Sequence, residues 1–180
     1  MTINSVELIN SIKTYLYNWF YFPKEKLFCQ VATVKSGKPQ LRTMGLYDFT
    51  AQGSLIFLTD TSSPKWRQLA DCANVSVCML NPASAQILAE GVAFLHTSQS
   101  NLPMTTLYWQ NYLDQYWRDF YQKSEAKKSI NAIPVSFGIV QIIPKKWELL
   151  TINSDDFLMG SRISYECQEN LWTINQHSLL

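Results

Sequence analysis

The pattern of apolar and polar positions changes period after the first twenty residues. Leu8, Ile9, Ile12, Tyr15, Leu16, Trp19 and Phe20 recur at steps of three and four, which predicts an amphipathic helix over 5–20. Ser5 is the expected N-cap, without a Glu three residues later to complete a capping box, and Pro23 ends the element. Alternating and β-branched runs follow. Strands are expected at 27–34, 40–49 and 55–59, separated by the Gly-containing turns 35–39 and 50–53, which favours antiparallel hairpins. Ser63-Pro64 opens a short helix, with Pro at its first position. Further strands are expected at 75–80 and 86–97, and Gly91 inside the second marks a bulge. A long aromatic helix is predicted over 104–124, then a polar stretch at 125–131. Short strands at 135–143, 147–151, 163–167 and 171–174 close the chain, with a turn at Glu169-Asn170.

At least six short, meander-connected strands with helices at the start and in the connections predict a mainly β fold. The expected form is an antiparallel, Greek-key-like β-barrel with helical additions. No linker or repeat divides the sequence, so residues 1–180 read as a single domain.

Composition narrows the function classes. The chain has 47% hydrophobic and 16% charged residues, enough apolar material for a large core. Its net charge of +1, with no basic stripe, argues against nucleic acid as a partner. No apolar run is long enough for a membrane span, and the N-terminus lacks a signal-peptide pattern, so a cytoplasmic protein is expected. Cys29, Cys72, Cys78 and Cys167 are scattered and read as reduced, mostly buried thiols. His96 and His177 do not combine with them at zinc spacing, so no metal site is expected. Asn74-Val75-Ser76 matches a glycosylation sequon, which has no meaning in the cytoplasm. Asp155-Asp156 reads as a solvated turn rather than an acid/base pair.

Candidate chemistry gathers around three pieces. Arg42-Thr43 puts a cation inside an otherwise apolar strand. Thr59, Ser63 and Lys65 bring hydroxyls and an ammonium to a helix N-terminus, where unpaired N–H groups favour anions. Gln86 starts one strand and Arg162 another. Arg42, Ser63 and Lys65 together could hold a phosphate monoester, a bidentate fork and a point charge sharing three acceptor oxygens. The competing reading pairs Arg42 with Asp48 or Asp60 and leaves Ser63 as a helix cap. The stripe Tyr108, Tyr112, Trp117 and Tyr121 could line a pocket for a flat ligand, but helix packing or a subunit interface accounts for it more simply. Trp66 and Arg67 follow the phosphate-loop candidate, and Arg67 either adds charge there or faces solvent.

At these residues the sequence resembles the pyridoxamine 5′-phosphate oxidase-like, FMN-binding split-barrel family. The pieces fall in family order: Ala32-Thr33-Val34, Gly37-Lys38-Pro39, Arg42-Thr43-Met44, Phe57-Leu58-Thr59, Ser63-Pro64-Lys65, and Gln86 through Gly91. The resemblance implies an FMN phosphate held by Arg42 and Lys65, with Thr43, Thr59 and Ser63 adding hydrogen bonds. It implies backbone near Met44 and Leu58 along the isoalloxazine ring, Gln86 near its polar edge, and Arg162 as a second flavin-contacting arginine. It further implies a homodimer with each flavin at the interface, acting on a small molecule that the sequence does not name.

The departures are specific. The family's C-terminal R-x-H-x-R is Leu158-Met159-Gly160-Ser161-Arg162, so only the last Arg matches. Pro64 replaces a basic residue, Tyr47 replaces a substrate-contacting Lys, and a flavin-side Trp aligns with Leu150. The R-P-x-x-S signature is absent, and the helix around Trp109 and Trp117 takes its place. The resemblance thus implies a retained FMN site and a mostly lost pyridoxal-phosphate site. The first expectation is a flavin-dependent oxidoreductase. The alternatives are a non-catalytic flavin store or sensor, residual pyridoxamine phosphate oxidase activity, or a haem- or deazaflavin-binding branch.

Overall fold

The computed structural model describes residues 1–83, 85–123, 133–151, 153, 159–169 and 171–177. The polar stretch 125–131 and the pair Asp155-Asp156 lie outside the described residues.

α1 (Ser5–Phe20) is as the periodicity predicts, and Leu8, Ile12 and Leu16 are buried in the main core. Burial of such a side chain stabilises by about 2 kcal/mol. Its N-cap is Asn4, not Ser5. Asn4 Oδ1 accepts from the Glu7 backbone N–H at 2.9 Å, and Asn4 Nδ2 donates to Glu7 Oε2 at 3.4 Å. With the cap one residue earlier, Glu7 stands at the third helical position, as in a capping box, but its carboxylate accepts from the Asn4 side-chain amide rather than from the Asn4 backbone N–H.

A short β1 (Thr2–Ile3) is followed, after α1, by β2 (Leu27–Lys35), β3 (Lys38–Phe49), β4 (Leu55–Asp60), α2 (Pro64–Asp71), β5 (Asn74–Asn81) and β6 (Ala85–His96). β2, β3 and β4 form a meander, and β5 returns through α2 to lie beside β2. That spatial order, β5-β2-β3-β4, is a Greek key. β7 (Phe137–Thr151) pairs with both β4 and β6 and so closes a six-stranded antiparallel barrel. β8 (Ser161–Gln168) and β9 (Leu171–His177) extend the sheet from the second half of β7, and β1 adds to its edge.

The two strands expected at 135–143 and 147–151 are one strand. Pro144 does not break it, because β7 changes neighbour there, pairing with β4 through 137–142 and with β8 through 146–151. A proline without an N–H is tolerated where the ladder is already interrupted. β6 shifts register at Glu90/Gly91 opposite this point, as Gly91 predicts. A Cβ on Gly91 would lie 2.3 Å from the Ile143 carbonyl oxygen, so only glycine fits.

The long helix expected over 104–124 is two helices. α3 (Leu102–Asn111) ends at Tyr112, and Asp114 caps α4 (Gln115–Lys123) by accepting from the Trp117 N–H at 3.0 Å. The pair covers the outer face of β4 and β7. Tyr108, Trp109, Leu113 and Tyr121 pack there with Ile56, Phe137 and Ile139 in a second core. Half of the aromatic stripe is therefore helix packing, while Tyr112 and Trp117 stay partly exposed.

Of the four free cysteines only Cys29 is buried; the other three are half-buried, not mostly buried as expected. Burial, with Cys78 nearby, pushes the Cys29 thiol up to about 12. His96 Nε2 is hydrogen-bonded with Gln141 Oε1 at 3.0 Å. Among the described residues no helix is long and apolar enough to cross a membrane, and no three His, Cys, Asp or Glu gather at metal-ligand spacing.

Candidate functional site

Alternation along β3 turns Arg42, Met44 and Leu46 toward the barrel interior, and Arg42 is the last of these before the mouth. Thr33 faces inward on β2 beside it, and α2 packs against β2 and brings Gln68 to the same place. The three side chains form a closed polar triangle. Arg42 Nη1 donates to Thr33 Oγ1 at 2.6 Å and to the Val31 carbonyl at 3.2 Å. Arg42 Nη2 donates to Gln68 Oε1 at 2.8 Å, and Thr33 Oγ1 donates to the same oxygen at 2.6 Å. These contacts use three of the guanidinium's five N–H groups and fix its plane.

Lys65 lies on α2, one helical turn before Gln68 and on the same face. Its ammonium is held below the ordinary lysine value by burial first and by the Arg42 charge second, with Asp60 opposing. Burial also disfavours the charge on Arg42, although a guanidinium stays protonated. Among the described residues neither cation is in an ion pair. The carboxylates that could have neutralised Arg42 are engaged elsewhere: Asp48 accepts from Tyr108 Oη at 2.7 Å, and Asp60 accepts from the Ser62 N–H at 2.6 Å.

Ser63 is the N-cap of α2, yet its side chain makes no capping hydrogen bond. Its hydroxyl instead faces that of the buried Thr59, at 3.5 Å. α2 is held over this spot by Trp66, which packs on Gly138; a Cβ there would come within 2.5 Å of the indole Cζ3. Two unpaired cations, two hydroxyls and a helix N-terminus converge on one place. A dianion with several acceptor oxygens would relieve the repulsion between Arg42 and Lys65, so the residues fit a phosphate monoester. Arg67 is exposed.

The other expected residues lie elsewhere. Met44 is buried in the main core, and Leu58 packs against the second core, which leaves only their backbones to line a ligand. Thr43 points outward, and its hydroxyl exchanges hydrogen bonds with the Gln30 amide. Gln86 pairs with Leu150, and Leu150 pairs with Arg162, so the three stand in one row across β6, β7 and β8. Strand spacing puts the row's ends about 10 Å apart. Arg162 is largely exposed, with Nε 3.6 Å from Glu148 Oε1. Register carries Arg42 through Val31 and Val77 to Ala89, on the inner face; Gln86, three residues from Ala89, is on the outer face. One chain thus brings together Arg42, Thr59, Ser63 and Lys65. Thr43, Gln86 and Arg162 stand apart from them on the outer face.

Thr33 and Gln68 were not singled out by the sequence reading. The available signal was spacing: Gln68 lies three residues from Lys65, and Thr33 occupies an inward position of an alternating strand.

Residues 19–149 match the family model described as pyridoxamine 5′-phosphate oxidase, a span that includes every candidate residue except Arg162. Solved structures share the fold. A pyridoxamine 5′-phosphate oxidase-related, FMN-binding protein from Nostoc punctiforme superposes with a TM-score of 0.77 at 21% identity, covering 94% of this chain and 96% of its own. PhzG from Burkholderia lata, in complex with tetrahydrophenazine-1-carboxylic acid, gives 0.73 at 19% identity, covering 96% and 93%. General stress protein 26 from Bacillus anthracis gives 0.54 at 18% identity, covering 79% and 93%. No curated protein matches the chain by sequence.

Proposed function

The chain belongs to the pyridoxamine 5′-phosphate oxidase family, and we propose that it is an FMN-binding flavoprotein acting as an oxidoreductase on a small organic molecule. The observation that carries this reading is the Arg42–Lys65 pair at the barrel mouth, in no ion pair among the described residues, with Arg42 oriented by Thr33 and Gln68. Arg42 would grip the FMN phosphate with its remaining N–H groups, Lys65 would add a point charge, and the Ser63 and Thr59 hydroxyls would complete the cradle. The bound isoalloxazine would supply hydride or electron acceptance, chemistry that no side chain offers.

The backbone near Met44 and Leu58 would orient the ring. Thr43, Gln86 and Arg162 face the other side of the sheet, which suits a homodimer in which they meet the flavin of the second copy. The same outer face exposes Phe28, Leu41 and Leu80, apolar surface that such a contact would cover. The substitutions at Tyr47, Pro64, Leu158 and Gly160 argue against pyridoxamine phosphate as the substrate.

The test is anaerobic reduction of the FMN-loaded protein by a panel of oxidisable small molecules and nicotinamides. Bleaching of the bound flavin by one of them supports the oxidoreductase reading. Tight flavin binding with no bleaching by any of them contradicts it and leaves a flavin-binding module.

A further inference from the structure

Between the β2 entry, the end of β3 and the α3–α4 junction lies a groove of about 380 Å³, whose lining includes Glu25, Lys26, Tyr47, Tyr112, Asp114 and Trp117. Three features show that it is built. First, β3 shifts register between Leu46 and Asp48, so Tyr47 is the extra residue of a bulge. Alternation turns Tyr47 outward, where it packs with α4 against the second core, and the bulge keeps Asp48 on the same outer side, on the Tyr108 hydroxyl, before Phe49 returns to the interior. Second, the Lys26 ammonium lies over three rings at once, 5.3 Å from the centroid of Phe28, 5.8 Å from Tyr47 and 5.9 Å from Trp117. Third, among the described residues Lys26 is in no ion pair. Asp114 is committed to capping α4, and Lys24 to the Tyr17 hydroxyl at 3.1 Å. The groove therefore offers an exposed cation, held in place by ring faces, beside aromatic surfaces of Tyr47, Tyr112 and Trp117.

We infer that this groove binds a planar aromatic carboxylate, its ring stacked among Tyr47, Tyr112 and Trp117 and its acid group on Lys26. An aromatic acid matches both halves of the lining. An aliphatic acid would forfeit the stacking, and an aromatic amine would meet the ammonium of Lys26. That such a compound is the substrate rests on the flavin reading above; the ligand chemistry of the groove does not.

Isothermal titration of the purified protein, with and without saturating FMN, tests the inference. The probes are 2-naphthoate, cyclohexanecarboxylate and 2-naphthylmethylammonium. The expected result is that 2-naphthoate binds most tightly and that Lys26→Met weakens it about tenfold while FMN affinity is unchanged. Asp114→Asn keeps a capping side chain and should tighten 2-naphthoate about threefold by removing a nearby negative charge. Equal binding of the three probes, or 2-naphthoate affinity indifferent to both substitutions, would overturn the inference. Lys26-dependent binding of 2-naphthoate by a protein that takes up no FMN would support the groove and contradict the flavin reading.

Discussion

Gln68 Oε1 sits 2.8 Å from Arg42 Nη2 and at the same time receives the Thr33 hydroxyl at 2.6 Å, so an uncharged amide, not a carboxylate, holds the guanidinium at the barrel mouth. An amide orients the cation without neutralising it, and the full charge remains for a ligand. Gln68→Ala is expected to weaken FMN binding about tenfold and to cost about 1–2 kcal/mol of stability. Flavin titration and denaturant unfolding of the variant check both numbers. Unchanged FMN affinity would mean that the triangle does not position Arg42 for the phosphate.

Lys65 contributes an opposite kind of signal. Its folded-state pKa is depressed, so below that value the folded protein carries a charge it holds less easily than the unfolded chain does. Between the depressed value and the ordinary 10.5 the unfolded state binds more protons, and stability contributed at this site rises with pH. Without ligand, Lys65→Met is expected to melt above the wild type at pH 7, with the difference shrinking as pH approaches 10.5. Melting curves across pH 7–10.5 measure this, and a constant difference would mean that burial and the Arg42 charge do not depress the Lys65 pKa.

The position of α2 depends on a contact with no polar component. Gly138→Ala would drive a Cβ to within 2.5 Å of Trp66, which packs against the main core, and 2.8 Å of Thr61. Overpacking of this kind costs about 1–3 kcal/mol. Because Ser63, Lys65 and Gln68 ride on or cap the same helix, FMN affinity should fall together with stability. A variant as stable and as tight-binding as the wild type would show that α2 does not depend on this seat.

Tyr108 donates its hydroxyl to Asp48 from a buried position, and burial, then that bond, raise its pKa. Burial also raises that of Tyr121 in the same core. A raised folded-state pKa gives stability that is intact below the unfolded value near 10 and lost as pH rises above it. The wild type should therefore weaken above pH 10. Tyr108→Phe, which leaves Asp48 without this donor, should cost about 1–3 kcal/mol at pH 7 and fall less steeply above pH 10. Unfolding at pH 7, 9 and 11 distinguishes this from a purely apolar role.

Much of the barrel was legible because alternation is regular on β2, β5 and the first half of β6 and the early turns are marked by glycine, so boundaries agree within a few residues. What was not legible arises from contacts distant in sequence. Closure of the barrel by β7 against both β4 and β6 depends on pairings that local periodicity does not encode. Pro144 reads as a breaker until the change of strand neighbour at that point is known. Tyr112 to Asp114 interrupts the aromatic helix because Asp114 caps a new one, a role hidden inside a continuous aromatic run. At the site, Arg42, Ser63 and Lys65 were found from residue type and spacing, whereas Thr33 and Gln68 emerge only once β2, β3 and α2 meet.

We propose that the Arg42–Lys65 pair holds the phosphate of FMN. The most direct measurement is the absorption spectrum of the wild type and of Arg42→Ala/Lys65→Ala after each is mixed with FMN and desalted. Flavin bands that stay with the wild type and are lost from a double variant that remains folded are the predicted result. Full flavin occupancy in the double variant, or a wild type that retains none, would contradict it.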